Sequence, residues 1–576
     1  MKKNTKTKHN VIILGVNGWK DQGHDASACL IRNNKIVAFA EEERFSRKRY
    51  AFDSFPENSI AFCLQKGEIG VDQIDYVAYG WDFNRLYNYR HKKTYSNKEM
   101  LKQLFPKKLF DYNKLPKLKL IPHHISHMAS AFRLSGMKNA VIIVLDGQGE
   151  DSSGTIGIAN EGKIKVLKSI PIHCSLGYMM EAACKFIGLR TFDVGKLMGL
   201  AGSGKNYQLL DNISYKEDGY EIKGFPDDQY ILSDSINEQK AVISLWEKYF
   251  LKKFGKLKNS QSAFDSEKGK IISTMKVDQK QMDFAFSIQK TLEEVVFHLV
   301  KIYIKKTRCK DLVLSGGVAL NCVVNGKLVS EKIVDKLFIP PIVNDAGVSV
   351  GAALELNFQM NDYQFPQIDS FYLGPDYSDK IIEKLLKINK IKFSKPKDIS
   401  KIAAKALSKG NVIGWFQGKM EGGPRALGNR SILGHPGIPE MHNKINKIKS
   451  RENWRPLAPS VIEEKRGEFF KQSDYSPFML KSFQVKKESQ KIIPAVVHHD
   501  GTARYQSVTP KTNKLYYKLI KNFYKITGIP MVLNTSFNVG SEPIICTPDQ
   551  AIRTFFSSSL DHLAIGKYWV SKQAYE

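Results

Sequence analysis

The sequence predicts an α/β protein of more than one folding unit, and three observations carry that expectation. Short runs of consecutive apolar residues, Val11–Val16, Val141–Leu145 and Val412–Phe416, read as buried strands ending in polar or glycine-bearing loops. Helical patterns alternate with them, the longest from about Met282 to Lys306, with Phe286, Leu292, Val296, Leu299 and Ile302 as a core stripe. The opening order of elements, a strand, an acidic or glycine loop and a hairpin, recurs after residue 140, so the first part reads as a duplication. At 576 residues the chain also exceeds a single core.

Composition narrows the function classes. The net charge of +29 is spread along the chain, largely as lysine among many isoleucines and asparagines. It reads as compositional bias, because a nucleic-acid footprint clusters as a stripe or arm. The nearest candidate is a short basic leader, residues 1–9, read as disordered. A basic surface also suits anionic, phosphorylated substrates. The cysteines (Cys29, Cys63, Cys174, Cys184, Cys309, Cys322, Cys546) form no C-x-x-C pair, which fits buried free thiols in a reducing compartment. No apolar run reaches membrane-spanning length, and the chain reads as cytoplasmic.

In chain order, Val11–Val16 is a strand followed by the loop NGWKDQGHDAS, which carries His24, Asp25 and Ser27. Ala28–Arg32 and Ile36–Glu43 form a hairpin about Asn33-Asn34. That succession is how the actin-like ATPase fold begins, with the loop facing phosphates or substrate. Glu41–Tyr50 is densely charged, as a solvated loop is, or else turns Glu43 and Arg44 into a site with His24. A helix at Pro56–Lys66 and a strand at Ile74–Gly80 follow, and 81–119 is basic, aromatic and without clear assignment.

The stretch PHHISHMASAF, Pro122–Phe132, places His123 and His127 at i and i+4 of a short helix. Asp146 then stands at the carboxyl end of a buried strand, where open α/β sheets place ligands. Two imidazoles and one or two carboxylates suit a divalent first-row metal with open positions. Gly154–Ile158 and Lys163–Ile170 read as a second hairpin and Ser175–Ile187 as a helix. Val194–Lys205 is glycine-rich with two lysines, yet lacks G-x-x-x-x-G-K-[ST] spacing, which excludes a P-loop NTPase. Residues 210–277 read as an irregular insertion. In Asp311–Asn325, Gly316 and Gly317 let backbone approach a ligand, with Asn321 and Asn325 on one helical face. Asp345, before the small-residue helix Val348–Leu354, is the candidate fourth metal ligand, a role that can coexist with capping that helix.

A composition shift marks a linker, 359–378, between an N-terminal domain, 10–358, and a C-terminal domain, 379–576. The latter opens with helices near Asp379–Leu386 and Ile399–Ser408. Four of its loops are rich in Arg, Ser, Thr, Asn and Gly: Gly418–Leu433 with Lys419, Arg425 and Arg430, Arg451–Pro456 with Arg451 and Arg455, His498–Val508 with Thr502 and Arg504, and Met531–Gly540 with Asn534, Ser536 and Asn538. Such loops imply a polyanionic small molecule. Nucleic acid fits less well, since no aromatic stacking platform is present.

The motifs GHDASA, EEERF, HHISH…SAF, LDGQGE, GKLMGLA, SGGVALN, NDAG, GKMEGGPRALGNRSIL, RENWRPLAP, DGTARYQ and NTSFN stand in order along nearly the whole chain. In these the chain resembles the O-carbamoyltransferases of the nodulation and antibiotic type (NodU/TobZ-like). The resemblance implies a duplicated actin-like N-terminal domain (ASKHA, Kae/TsaD-like) and a YrdC/Sua-like α/β C-terminal domain. It implies that the C-terminal domain makes carbamoyladenylate from carbamoyl phosphate and ATP, with magnesium accompanying ATP. Lys419, Arg425, Arg451 and Arg504 would act in that step, and Arg430, Arg455, Thr502, Asn534, Ser536 and Asn538 would bind nucleotide or carbamoyl phosphate. The carbamoyl group would pass to a hydroxyl of a small acceptor (a sugar, antibiotic or toxin-like metabolite) in the N-terminal domain. There Gly316, Gly317 and Asn321 would hold nucleotide, and His123, His127, Asp146 and Asp345 a metal. Iron(II) is the family expectation, with zinc or manganese compatible with the donor set. His24 would orient or deprotonate the acceptor.

One departure stands out: LMGLAGSG, Leu197–Gly204, replaces the usual LMGLAPYG, and implies a more flexible loop. Acceptor choice would lie in 81–119 and 210–277. No nucleic-acid or membrane partner is expected, and a homodimer is left open. The alternatives are a tRNA threonylcarbamoyladenosine-type transferase, which normally lacks the fused GPRALGNRSIL domain, and a non-catalytic actin-like nucleotide-binding protein.

Overall fold

The computed structural model describes residues 11–20, 23–90, 95–229, 237–257, 264–265, 270–271 and 277–572, so the basic leader lies outside the described residues. Strands β1 (Ile12–Asn17), β2 (Ser27–Arg32) and β3 (Lys35–Glu41) form an antiparallel meander. Asn33 and Asn34 turn its hairpin with φ of 55° each, the paired positive values a two-residue turn of matching twist requires. Beyond β1, β4 (Tyr76–Tyr79) and β5 (Lys117–Leu120) add in parallel. The second sheet repeats this. β6 (Asn139–Leu145), β7 (Gly154–Asn160) and β8 (Lys163–Ile170) form the meander, and β9 (Asp311–Ser315) and β10 (Lys336–Phe338) are the parallel additions. The orders β3-β2-β1-β4-β5 and β8-β7-β6-β9-β10 match strand for strand, which is the duplicated, actin-like topology.

Two helices, His123–Ser135 and Ala346–Asn361, pack on each other between the sheets, the first against β6 and β9, the second against β1 and β2. Small residues explain the closeness. A Cβ on Gly351 would stand 1.7 Å from the Ser126 carbonyl oxygen, and one on Gly15 1.9 Å from that of Ser349. This contact brings the start of the second helix over the start of the first.

The C-terminal half is also α/β. Helices Asp379–Ile388 and Ile399–Ser408 precede a seven-stranded sheet in which Ile413–Phe416, Arg430–Gly434 and Met531–Ser536 are interior neighbours of alternating direction. The Ala346–Asn361 helix takes up the first residues of the stretch read as a linker, and Tyr372 beyond it bridges to Glu421. Leu427, Ala458 and Phe478–Leu480 pack into the core of the N-terminal half, so the halves share apolar contact.

Several local expectations need correction. Val194–Ala201 is a helix, not a loop, with the departing Gly202 and Ser203 in the turn after it: Leu197 and Leu200 are buried, and Lys196 is tied to Asp193 (3.2 Å) and Glu452 (3.1 Å). The strand read as ending at Glu43 ends at Glu41, and in the charged run after it Glu42 and Arg44 are buried while Lys48 and Arg49 are exposed. Residues 81–119 contain helices Phe83–Tyr89 and Asn97–Leu104. The supposed insertion holds a hairpin, Ile213–Lys216 with Gly219–Ile222, and a helix, Glu238–Phe254, while part of 210–277 lies outside the described residues. Among the described residues no helix is long and apolar enough to cross a membrane.

Candidate metal centre and anion cradle

His123 and His127 lie one turn apart at the start of their helix and project to the same side. His127 Nε2 is 3.1 Å from Asp146 Oδ2 and 3.4 Å from Asp345 Oδ1; His123 Nε2 is 3.5 and 3.7 Å from the same two atoms. All four side chains are buried, with donor atoms within 4.8 Å of one another. Each partner is held by its own element. Asp146 follows β6, and its Oδ1 accepts from the backbone N–H groups of Gly147 (2.8 Å) and Gly317 (3.1 Å), leaving Oδ2 for the imidazoles. Asp345 occupies the N-cap position of the Ala346–Asn361 helix, yet its side chain makes no capping bond and faces the histidines instead. His127 Nδ1 is 3.1 Å from Ser315 Oγ, the residue ending β9, and Trp81 lies against the His123 ring at 4.0 Å. The middle histidine, His124, turns away to Thr155 and Ser152.

The cluster fits a cation. Among the described residues, His123 Nε2, His127 Nε2 and Asp146 Oδ2 are buried without a hydrogen-bond partner. Two imidazole nitrogens with two carboxylates suit zinc, iron or manganese. Without a cation, burial opposes charge on His127 but the two aspartates outweigh it and raise its pKa to about 9. His24 joins from the β1–β2 loop, 3.7 Å from Asp345 and 3.3 Å from Asp25. Against the opposition of burial, those carboxylates raise it to about 10.

A cavity of about 560 Å³ opens from this cluster towards the C-terminal half, and His24, Asp146, Asp345, Arg425 and Arg455 all line it. Arg451, Arg504 and Lys449 do not line the cavity but are charge neighbours of Arg425 and Arg455, which form its arginine wall. Burial and the neighbouring Arg504 push Arg425 down to about 9, and burial with Arg455 does the same to Arg451. Arg425 Nε, Arg504 Nε and Arg451 Nη2 are buried without a hydrogen-bond partner among the described residues. Mutually repelling cations with unspent donors are built for an anion of several charges.

The remaining expected site residues divide. Lys419 is exposed and off the cavity. Arg430 is fully buried over the Phe416 ring and spends Nη1 and Nη2 on the carbonyls of Gln417, Gly418, Asn429 and Pro375, so it builds the loop and does not line the cavity. Asn534 is buried and holds Ala426 O (3.2 Å) and Ser460 Oγ (3.0 Å). Thr502 is tied to Asp500. Asn321 and Gly317 line the cavity, but the Asn321 amide is paired with Gln289 and the Gly317 N–H with Asp146. Gly316, at φ 85°, makes the tight turn against Leu145.

Lys449 was not singled out from the sequence. Its ammonium is buried and donates to Ser536 O (2.6 Å), Asn538 O (2.9 Å) and Asn538 Oδ1 (2.8 Å), which is where Ser536 and Asn538 are used. Burial and then Arg451 and Arg455 hold its pKa well below the usual lysine value. Its position just before RENWRP was the available signal. Trp19, Trp81, Tyr178, Glu181 and Gln239 line the far wall of the cavity.

The Carbamoyltransferase N-terminus family matches residues 13–354, and the Carbamoyltransferase C-terminus family matches residues 404–572. The chain is 33% identical to Nodulation protein NolNO of Sinorhizobium fredii over 96% of this chain and 79% of that protein. It is 36% identical to Nodulation protein NolO of Bradyrhizobium diazoefficiens, over 78% of this chain and 79% of that one. To an uncharacterized protein of Methanocaldococcus jannaschii it is 33% identical, over 97% of this chain and all of the other.

Proposed function

The chain belongs to the carbamoyltransferase family, and from that premise we propose that it is an ATP- and carbamoyl phosphate-dependent O-carbamoyltransferase acting on a small hydroxylated acceptor. One observation carries the reading. A single cavity is lined on one side by Arg425, whose Nε is buried without a partner among the described residues and which Arg504 and Arg455 repel, and on another by Asp146 and Asp345 of the imidazole–carboxylate cluster.

In this reading water cleaves carbamoyl phosphate at the arginine wall to carbamate and phosphate, and the carbamate oxygen then attacks the α-phosphorus of ATP, forming carbamoyladenylate and releasing pyrophosphate. Arg425, Arg451, Arg455 and Arg504 neutralise the phosphate charge and stabilise what develops at the reacting centre, while Lys449 fixes the Ser536–Asn538 backbone beside them. Burial makes their fixed charges count for more than they would in water. The acceptor hydroxyl stands between His24 and the aromatic wall of Trp19, Trp81 and Tyr178. AMP is a good leaving group, so the residues there need only position the alcohol and take its proton. His123, His127, Asp146 and Asp345 would hold a divalent metal, which when bound supplies a positive charge for the adenylate phosphate. Iron(II) is the reading for its identity, with magnesium accompanying ATP.

The test incubates the protein with ATP and carbamoyl phosphate and measures pyrophosphate and carbamoyladenylate. Arg425→Ala is expected to abolish adenylate formation. His127→Ala is expected to keep it and to lose transfer. Equal loss of adenylate formation in both variants would overturn the division of labour.

A further inference from the structure

Glu41 ends β3, and Arg44 lies in the short helix Glu43–Ser46, both in the N-terminal half. Their side chains are 6% and 3% exposed. Arg44 donates to Glu41 Oε2 from Nε (3.1 Å) and Nη2 (2.7 Å), and its Nη1 pairs with Glu43 (2.7 Å). Both side chains also reach the backbone of one residue of the other half, Gly423. Glu41 Oε2 accepts from Gly423 N–H (3.1 Å), and Arg44 Nη2 donates to Gly423 O (2.8 Å). Gly423 stands at φ 100°, and a Cβ there would be 2.3 Å from Pro341 O. Only glycine accepts both conditions. Pro424 and Arg425 follow at once and line the cavity.

The other end of the same loop is held by its own half. Glu421 Oε1 accepts from the N–H groups of Leu427 (2.7 Å), Asn429 (3.1 Å) and Arg430 (3.2 Å), and Asn534 holds Ala426 O. Arg425 is therefore suspended between two anchors, one of which belongs to the N-terminal half. A buried ion pair is weak evidence for stability, because desolvation offsets most of its attraction. Both members of this one are aimed at the backbone of a single residue across the molecule, Gly423. By contrast, Arg133–Glu355 (2.6 Å), buried to a similar degree, spends its spare donor on Gly162 of its own half.

We infer that Glu41 and Arg44 are positioning residues for the phosphate-handling step, fixing Gly423 and through it Arg425 from the opposite half of the chain. The inference rests on reading the arginine wall as the place where the adenylate forms. It makes the first reaction depend on residues of the half that carries the second.

The test uses the full-length protein with Arg44→Lys, Glu41→Gln, the double variant and Arg133→Lys, and measures kcat and KM for pyrophosphate formation beside unfolding in urea. Arg44→Lys keeps the charge and loses the fork that holds Glu41 and the Gly423 carbonyl together. It and Glu41→Gln are each expected to lower kcat by about 10²-fold, the cost of roughly an ångström of misplacement, with a cooperative urea transition retained. The double variant is expected to be no worse than the poorer single one, since both act through Gly423. Arg133→Lys is expected to leave kcat unchanged. A wild-type kcat in Arg44→Lys, or the same loss in Arg133→Lys, overturns the inference and leaves the adenylate reading standing. If the unsubstituted protein forms no pyrophosphate, the adenylate reading falls and the inference with it.

Discussion

Ser315 Oγ is 3.1 Å from His127 Nδ1. If the bare Nε2 is to face a cation, Nδ1 must carry the proton and donate it to that hydroxyl, which fixes tautomer and ring orientation. Ser315→Ala is thus expected to weaken metal binding by roughly 10–100-fold, read by titration against a chelator of known affinity, while pyrophosphate formation continues. Arg425 and Arg430 show where residue-level reading of the sequence stops. Both are guanidinium groups of one glycine-rich motif, and the charge pattern treats them alike. Arg430, however, begins the Arg430–Gly434 strand, whose register turns its side chain inward over Phe416, while Arg425 lies in the loop before it. Arg430→Ala would strip the buried carbonyls of Gln417, Gly418 and Pro375 of donors, so it is expected to cost at least about 3 kcal/mol in urea unfolding. Lys419→Ala, exposed and off the cavity, is expected to change neither stability nor rate.

The two helices that carry the histidines and Asp345 meet through backbone. His123 and His127 were legible because helical spacing sets their common face; the placing of Asp345 was not, because N-cap and ligand look the same in sequence. The helix-on-helix contact decides between them by turning the carboxylate toward the imidazoles. Gly351→Ala tests that contact, since its Cβ would fall 1.7 Å from Ser126 O. The helices must separate, at a cost of about 1–3 kcal/mol, and the ligand set opens with them. Weaker metal binding alongside lower stability is expected; lower stability with unchanged metal affinity would show that the contact does not set the site. The duplicated strand order was legible from repeated strand, loop and hairpin patterns, each a local signal. The helix Val194–Ala201 was not: its glycines read as loop, and only the burial of Leu197 and Leu200 and the contact of Lys196 with Glu452 supply the compensation.

For the whole molecule, the excess of +29 charges has two possible uses, and salt separates them. A spread of surface lysines attracts any polyanion, and that attraction falls steeply as salt displaces the advantage of counterion release. Arg425, Arg451 and Arg504 are half-buried, each with a nitrogen that water does not reach, and screening of partly buried charges is weaker than at the surface. Pyrophosphate at about 100 times its dissociation constant is therefore expected to stabilise the fold by about 2.7 kcal/mol, and the gain is expected to persist from about 50 to 200 mM salt. RNA retention, measured in parallel, is expected to fall by about 10³-fold over the same range. The contrast follows from burial: Arg425, Arg451 and Arg504 keep donors that water does not reach and no described residue satisfies, so a compact polyanion gains there what a long one cannot. RNA binding that survived 200 mM salt, in a protein that pyrophosphate failed to stabilise, would reverse the assignment and make the surface, not the cavity, the seat of phosphate recognition.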